Sequence, residues 1–421
     1  MSNDTYQKSC AAGRSVLISG ASIGGPVLAY WLHRYGFAVT IIEKAGAVRG
    51  GGYPIDVRGN ALEVTDRMGL TEFLERAHID MRLLSFVDDK GTPMVSVRPE
   101  RITGGRIGRD VELPRGVLTT LLYELTRHDV TYRFNSSIDS MTETESGVDV
   151  IFNDGSDGHF DVVVGADGLH SNTRKMVFGP ENVFDRNIGF CFAGFSVPNT
   201  FGLNHEGVIS NRPGKMVTLF APATSEPVHI LFNTAHAGLA PDQARNPAYQ
   251  RKLITDAFSD WGWLVPELLR ALAVADDLYF DEIKQIKMPQ YATGRVALVG
   301  DAGYAPSFLT GTGTSLAIVG AYVLAGELAL QSDHRAAFAA YEHVMRPFVA
   351  ANHALLEDGL AAIIPPTQAA IDQRNLMLAT ISEPPMGPAM TRTSERSKLG
   401  EGRAEYCMVD LSGYLGITAN A

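Results

Sequence analysis

The stretch Ser15-Val16-Leu17-Ile18-Ser19-Gly20-Ala21-Ser22-Ile23-Gly24-Gly25 decides the fold. An apolar run that stops at glycine predicts a buried strand. Helical spacing over Pro26–Tyr35 and a second apolar run over Ala38–Ile42 complete a strand–helix–strand unit. Gly20 permits the tight turn, and Gly25 lets the helix lie close on the strand. The helix start offers unpaired N–H groups and a positive dipole end, which suit a pyrophosphate. Ser22 occupies the middle position where glycine is usual, so a β-carbon stands where the phosphate approaches. Glu43 ends the second strand, where a carboxylate can accept hydrogen bonds from a ribose hydroxyl pair.

Two later turns repeat the pattern. Gly165-Ala166-Asp167-Gly168 follows the apolar run ending at Val164, and Ser171 and Arg174 come next on an incipient helix. Asp167 reads equally as a helix N-cap. Gly300-Asp301-Ala302-Gly303 follows Ala297-Leu298-Val299. Asp301 can bind the hydroxyls of a ribityl chain, with an N-cap as the plainer alternative. Pro306 and the turn Gly311-Thr312-Gly313-Thr314 lead into another helix, whose N-terminus can stabilise negative charge on a ring. Together the three turns describe a dinucleotide held along its length.

Bulk properties narrow the remaining classes. The 421 residues carry 47 acidic and 36 basic groups, a net charge of -11, which argues against nucleic acid or an anionic membrane as main partner. Met1–Arg14 is polar and lacks an apolar signal core. No window reaches the roughly 18 uninterrupted apolar residues of a membrane span. Cys10, Cys191 and Cys407 are far apart and odd in number, which suggests a reducing cytoplasmic setting. The 11 histidines show no pair at metal-ligand spacing, so no metal is expected.

Further along, the pattern predicts a helix over Asn60–Arg76 and strands in Leu84–Val97 around a Lys90-Gly91-Thr92 turn. It predicts a helix over Pro114–Arg127, then antiparallel strands over Val130–Phe134, Gly147–Phe152 and His159–Val164. Asn187–His236 reads as mainly β, followed by helices at Tyr249–Phe258 and Pro266–Ala275 and a strand at Leu278–Lys287. Helices are expected over Gly313–Leu330 and Tyr341–Ala362.

With these motifs in place, the chain resembles the FAD-dependent aromatic hydroxylases related to para-hydroxybenzoate hydroxylase, over about Ser15–Ala351. Within that family it is most similar to the tetracycline-inactivating flavin monooxygenases. The likeness lies in Ala29-Tyr30-Trp31-Leu32, Glu43-Lys44, Asp56-Val57-Arg58-Gly59, Tyr279-Phe280-Asp281, Gln285-Ile286-Lys287-Met288, the run Gly300–Glu327 and Pro347-Phe348-Val349. It departs at Thr312 and Ser315, where the family usually has glutamine and asparagine, and at Val117, which often is acidic.

The resemblance implies an α/β chain: a Rossmann-like FAD-binding domain, an inserted mainly antiparallel β-sheet substrate domain and a C-terminal helical segment. The FAD-binding parts would span 1–84, 111–184 and 287–345, with substrate-side strands at 85–110, a substrate-binding domain at 185–286 and a C-terminal helical region at 346–421. It also implies that NAD(P)H reduces FAD, O2 adds, and a flavin hydroperoxide hydroxylates an aromatic or polyketide-like small molecule. Lys44 and Arg115 join the cofactor residues by this resemblance.

The substrate side is read more thinly. His236 follows an apolar strand and can bind or deprotonate a phenol or enol. Phe195, Phe220 and Phe232, with Phe192, can wall an aromatic pocket or fill a core. Arg58 is a candidate contact for a transient nicotinamide. A polyketide-tailoring hydroxylase, a halogenase suggested by Trp261-Gly262-Trp263, and a non-catalytic flavin- or drug-binding protein stand as alternatives. A helix beyond Pro365 would cover the substrate cavity. A monomer or homodimer is expected.

Overall fold

Three of the apolar runs lie side by side in one parallel sheet, in a computed structural model that describes residues 7–11, 13–48, 50, 53–99, 110–382 and 408–418. This six-stranded sheet has the order Ala292–Thr293, Val296–Leu298, Val162–Gly165, Ser15–Ser19, Ala38–Glu43, Thr131–Phe134. Every neighbouring pair is parallel except the edge pair formed by Ala292–Thr293 and Val296–Leu298. Both faces are covered, so the strands are apolar throughout, and Val16, Leu17 and Ile18 are completely buried.

Register then does the assembling. Ser19 pairs with Gly165, and Gly165 pairs with Leu298. The three strands therefore end level, and the three turns that follow them open at one carboxyl edge, where ligands of such sheets bind. Helices Gly24–Arg34 and Gly313–Leu330 start at this edge and pack against each other. The latter is apolar all round and 78% buried. Among the described residues it alone has the length and composition to cross a membrane.

A seven-stranded sheet faces that edge. Its order is Tyr279–Ile286, Asp185–Val197, Val228–Ala235, Lys215–Ala221, Glu206–Arg212, Leu83–Val87, Pro93–Val97. It is antiparallel except where Glu206–Arg212 meets Leu83–Val87. Alternation gives it two different faces. The outer face carries Phe195, Val217, Leu219, Ile230 and Phe232 into a core with helices Pro247–Phe258 and Val265–Val274. The inner face carries Ile209, Met216 and Ile283, which pack with Leu309, Leu356 and Leu378.

Several sequence expectations change. The helix expected over Asn60–Arg76 is two helices, Asn60–Arg67 and Thr71–Ala77, because Gly69 turns the chain between them with φ +74°. Thr131–Phe134 does not join an antiparallel group; it is the parallel edge strand beside Ala38–Glu43. The His159–Val164 run divides at Asp161: Asp157–Phe160 stays in a meander with Val148–Phe152 and Ile138–Glu143, and Val162–Gly165 enters the parallel sheet. The expected Tyr341–Ala362 helix is His334–Ala354 followed by Leu356–Ile363. Beyond Pro365, helix Gln368–Ala379 lies against strand Pro93–Val97. It is held by Leu378, by Arg374 over the Phe86 ring, and by Arg374 donating to Asn211 at 2.8 Å. Gly51, Gly52, Cys407 and most of the proline-rich tail fall outside the described residues.

Candidate active site

The groove between the carboxyl edge and the inner sheet face collects most of the expected cofactor residues. At its floor the backbone passes too closely for any side chain. A β-carbon on Gly20 would lie 2.4 Å from the Ala166 carbonyl oxygen, and one on Gly25 would lie 2.0 Å from the Gly20 oxygen. The first two glycine turns are thus in backbone contact. Glu43 fixes the first turn by accepting from Ala21 N–H at 3.0 Å and Ala45 N–H at 2.9 Å. Each oxygen keeps a lone pair for a hydroxyl donor. Lys44 beside it is exposed.

Ser22 has a purpose that its replacement of glycine concealed. Its Oγ accepts from Arg115 Nη2 at 2.9 Å, and the Arg115 backbone N–H donates to Tyr53 O at 3.3 Å. Arg115 therefore clamps the first turn to the segment that overhangs the second sheet. Asp167 is not the N-cap, which is Ser171 accepting from Arg174 N–H at 2.9 Å; its carboxylate instead accepts from Ser171 Oγ and from Thr173 N–H and Oγ1 at 2.9 and 3.0 Å. It shapes its own loop, next to Gly168 at φ +83°. Arg174, fully buried, donates to Ala302 O at 2.8 Å and Leu169 O at 2.6 Å, and so ties the second turn to the third.

Asp301 differs from both other acidic residues. Its side chain opens to the groove, and no described residue donates a hydrogen bond to it. Crowding by protein raises its pKa, with Arg115 and Arg174 opposing. An open carboxylate without a donor among the described residues fits the hydroxyls of a ribityl chain. Gly313 and Pro306 lie against it: a β-carbon on Gly313 would sit 3.7 Å from Asp301 Oδ1. Gly311 takes φ +66°, Thr312 Oγ1 lies 2.9 Å from Thr310 Oγ1, and Thr314 opens the long helix. These features fit a flavin dinucleotide.

The substrate-side expectations fare differently. Phe195 and Phe232 do not wall the groove. They are 1% and 0% exposed on the outer face, stacked at 6.2 Å, with Phe258 edge-on to Phe232 at 4.8 Å. Strand alternation places odd residue 195 opposite to 192. His236 lies past the strand end, in a surface hollow of about 290 Å³ with Tyr249, Lys252 and Asp256, none of them groove residues. Arg58 pairs with Asp56 at 2.7 Å, and its backbone N–H donates to Ser315 Oγ at 3.0 Å beside the Gly311 turn. The two tryptophans are structural: Trp261 stacks on Phe258 at 4.9 Å, and Trp263 fills the space over Gly91.

Phe220 does belong to the inner face, as does Phe192, together with His229, Tyr53 and Tyr279, which the sequence did not mark as substrate-side. His229 is 6.5 Å from the Phe220 ring and 6.5 Å from the Tyr53 ring. Tyr53 stands on bare backbone, since a β-carbon on Gly194 would lie 1.4 Å from its hydroxyl. Tyr279 meets Tyr53 at 6.4 Å and Phe192 at 5.4 Å, and Phe192 meets Phe308 of the late turn at 4.8 Å. His229 bonds to Ser196 Oγ at 3.2 Å, and burial lowers its pKa, so its ring is neutral at pH 7. The available signal was parity: residues 192, 194 and 196 share one face.

The three turns and their register define a flavin-binding fold, with an aromatic sheet face beside it. Residues 14–354 match the family described as FAD binding domain, and the chain belongs to it. It is an FAD-dependent monooxygenase. A flavin-dependent monooxygenase of an unknown prokaryotic organism is 39% identical over 343 residues, which cover 81% of this chain and 88% of that one. An FAD-dependent monooxygenase of Sarocladium schorii is 31% identical, with 82% of this chain and 86% of that one covered. Among solved structures, tetracycline destructase Tet(55) is 35% identical, covering 88% of this chain and 96% of its own, with a TM-score of 0.77. Tetracycline destructase Tet(51) is 30% identical, covering 96% and 99%, with a TM-score of 0.77.

Proposed function

We propose that this monooxygenase, with NAD(P)H as reductant, hydroxylates a phenol- or enol-bearing polycyclic compound, tetracyclines included. The carrying observation is the inner sheet face, where His229, Phe220, Tyr53, Tyr279 and Phe192 line one side of the groove that holds Asp301 and Arg115 on the other. Flat rings bind by stacking on such walls. The likeness to two tetracycline destructases over nearly their whole length supports this substrate class. FAD, when bound, stores the electrons and activates oxygen.

In this reading Glu43, Asp301, Arg115, Ser22 and the glycine turns hold the cofactor, and the aromatic wall orients the substrate. Neutral His229 accepts the phenol or enol proton, which makes the ring carbon electron-rich. Bonding to Ser196 fixes its tautomer and tilt. Helix Gln368–Ala379 closes the far edge of the inner face and limits water. A small molecule is the only partner this needs.

The test is a panel of tetracyclines and other phenolic polycycles, scored by NADPH oxidation and product mass. One added oxygen in a tetracycline is the expected result. His229→Gln should abolish most turnover, and His236→Gln should leave it intact. Oxygen insertion into another polycycle with tetracycline refused would place the chain with biosynthetic hydroxylases instead.

A further inference from the structure

A line of hydrogen-bonding side chains leaves the groove at Tyr279 and reaches solvent. Tyr279 Oη lies 3.2 Å from Asp281 Oδ2. Asp281 Oδ2 and Oδ1 lie 3.0 and 3.2 Å from His170 Nε2. His170 Nδ1 lies 3.0 Å from both oxygens of Glu181. The His170 side chain is 54% exposed and that of Asp281 12% exposed. At the inner end, the Tyr279 ring packs on Tyr53 and Phe192, and the charges of Arg115 and Asp301 reach its hydroxyl.

We propose that Tyr279, Asp281 and His170 form a proton conduit that carries protons from solvent into the reaction groove. Oxygen insertion demands such delivery: RH + O2 + 2 e⁻ + 2 H⁺ gives ROH + H2O. A hydride donor brings one of these protons with its electron pair, and the second must come from water. His170 Nε2–H passes its proton to Asp281, Asp281 passes it to the Tyr279 oxygen, and Tyr279 releases its own proton to the oxygen being reduced. His170 then takes a new proton from bulk water. The reset needs only rotation of the Tyr279 hydroxyl. The conduit depends on the monooxygenase chemistry and not on which compound is hydroxylated.

The charges around the conduit suit inward delivery. Bonding to Asp281 and Glu181 raises His170 to about 9, against the desolvation that lowers it, so it is loaded with a proton at pH 7. The other charges nearby belong to Glu181, which also meets Arg174 at 3.1 Å and Lys284 at 3.3 Å. Lys284 is shared with Asp185 and Glu282. Burial, and then Asp281, raise the Tyr279 hydroxyl above its ordinary range. It therefore relays a proton without resting as an anion.

The conduit is tested on FAD-loaded enzyme without substrate, since reduction of O2 to H2O2 also consumes two protons. Photoreduced protein is mixed with oxygenated buffer from pH 6 to 10, and reoxidation is followed by absorbance. In wild type the rate should hold to about pH 9 and fall above it. His170→Asn and Tyr279→Phe should each slow it at least tenfold, on the low side of what a positioned acid contributes. Added imidazole should restore His170→Asn in proportion to its imidazolium fraction, and leave Tyr279→Phe slow. A readout without turnover accompanies these: the His170 ring resonance should titrate near 9 and move lower in Asp281→Asn, with FAD affinity unchanged. Wild-type rates and pH profiles in both variants would overturn the proposal. So would slowing that imidazole fails to relieve and that tracks weaker FAD binding, which would make His170 only an ionic link between the sheets.

Discussion

Truncating Phe232 and Phe220 separately asks whether the two faces of the seven-stranded sheet are as different as the structure makes them. Phe232 is 0% exposed, stacked on Phe195 and edge-on to Phe258, with no route to the groove. Phe232→Ala should therefore cost both the transfer free energy and a cavity, about 3–5 kcal/mol. At about 2 °C per kcal/mol for a large domain, the melting temperature should fall by roughly 5–10 °C. The Michaelis constant at a temperature where both proteins are folded should stay within about twofold. Phe220 sits half-buried on the other face against His229. Phe220→Ala should move the melting temperature by no more than about 3 °C and raise the Michaelis constant about tenfold, the loss of one stacking wall worth roughly 0.5–1.5 kcal/mol plus its buried area. Scanning fluorimetry of the FAD-saturated proteins and steady-state oxygen uptake measure both quantities. The reverse pattern, with Phe232 governing substrate and Phe220 governing stability, would refute the facial assignment.

Asp301→Ala removes a groove carboxylate to which no described residue donates, so FAD should bind about 10- to 100-fold more weakly, the worth of hydrogen bonds to a charged group; fluorescence quenching of the free flavin measures this. Asp167→Asn should act mainly on the loop it organises, lowering thermal stability by about 1–2 kcal/mol with a smaller change in FAD affinity, read by the same two assays. Gly20→Ala should yield a colourless protein, because its β-carbon meets the Ala166 carbonyl at 2.4 Å and the residue is held at φ +113°; normal flavin content after purification would contradict this. Glu327 is buried beneath Tyr414, and burial raises its pKa despite the 2.7 Å hydrogen bond from that tyrosine. The folded state thus holds its proton more tightly than the unfolded chain, and stability contributed by protonated Glu327 is lost as pH rises past the ordinary carboxylate range. Glu327→Gln should melt above wild type at pH 8, with the gap closing toward pH 5.

The parallel sheet and its three turns were legible because each signal is local. Apolar runs end at Ser19, Gly165 and Val299, and glycine follows or closes each, so the strand ends can be counted without knowing the tertiary fold. The boundary errors arose where one residue changes partners. Asp161 lies between the meander strand and the parallel strand and accepts from the Ser15 N–H at 2.7 Å, a long-range bond that divides an otherwise continuous run. On the substrate side both sheet faces are apolar, and composition alone cannot separate a core face from a chamber wall. Phe195 and Phe232 read as well as Phe192 and Phe220 until one knows that two helices cover the odd positions of Asp185–Val197. His236 stands out in sequence because it follows an apolar strand, whereas His229 lies within one. His229, inside the strand, is the one that faces the groove.

The perturbed groups of the groove share a cause that explains why the chamber suits its chemistry. For Asp301, Tyr279, Tyr53 and His229 the largest influence on ionisation is burial, and in every case it favours the neutral form. Protein crowds these groups, while Tyr279 stays 43% exposed and the Asp301 side chain open, so the groove becomes a place of low effective dielectric only when cofactor and substrate cover it. Low dielectric strengthens each hydrogen bond to a partner that does arrive, and makes an unpartnered charge expensive. Asp301 is an exposed carboxylate to which no described residue donates a hydrogen bond. A cofactor with several hydroxyls would supply those donors as it covers the carboxylate. His229 gains in the opposite sense: a neutral imidazole in a dry site accepts a phenol proton when the reacting ring is in place, and returns it when product forms. Once cofactor and substrate close the groove, the aromatic wall and the wet exit at His170 are complementary, because a chamber that excludes water must obtain its protons through side chains.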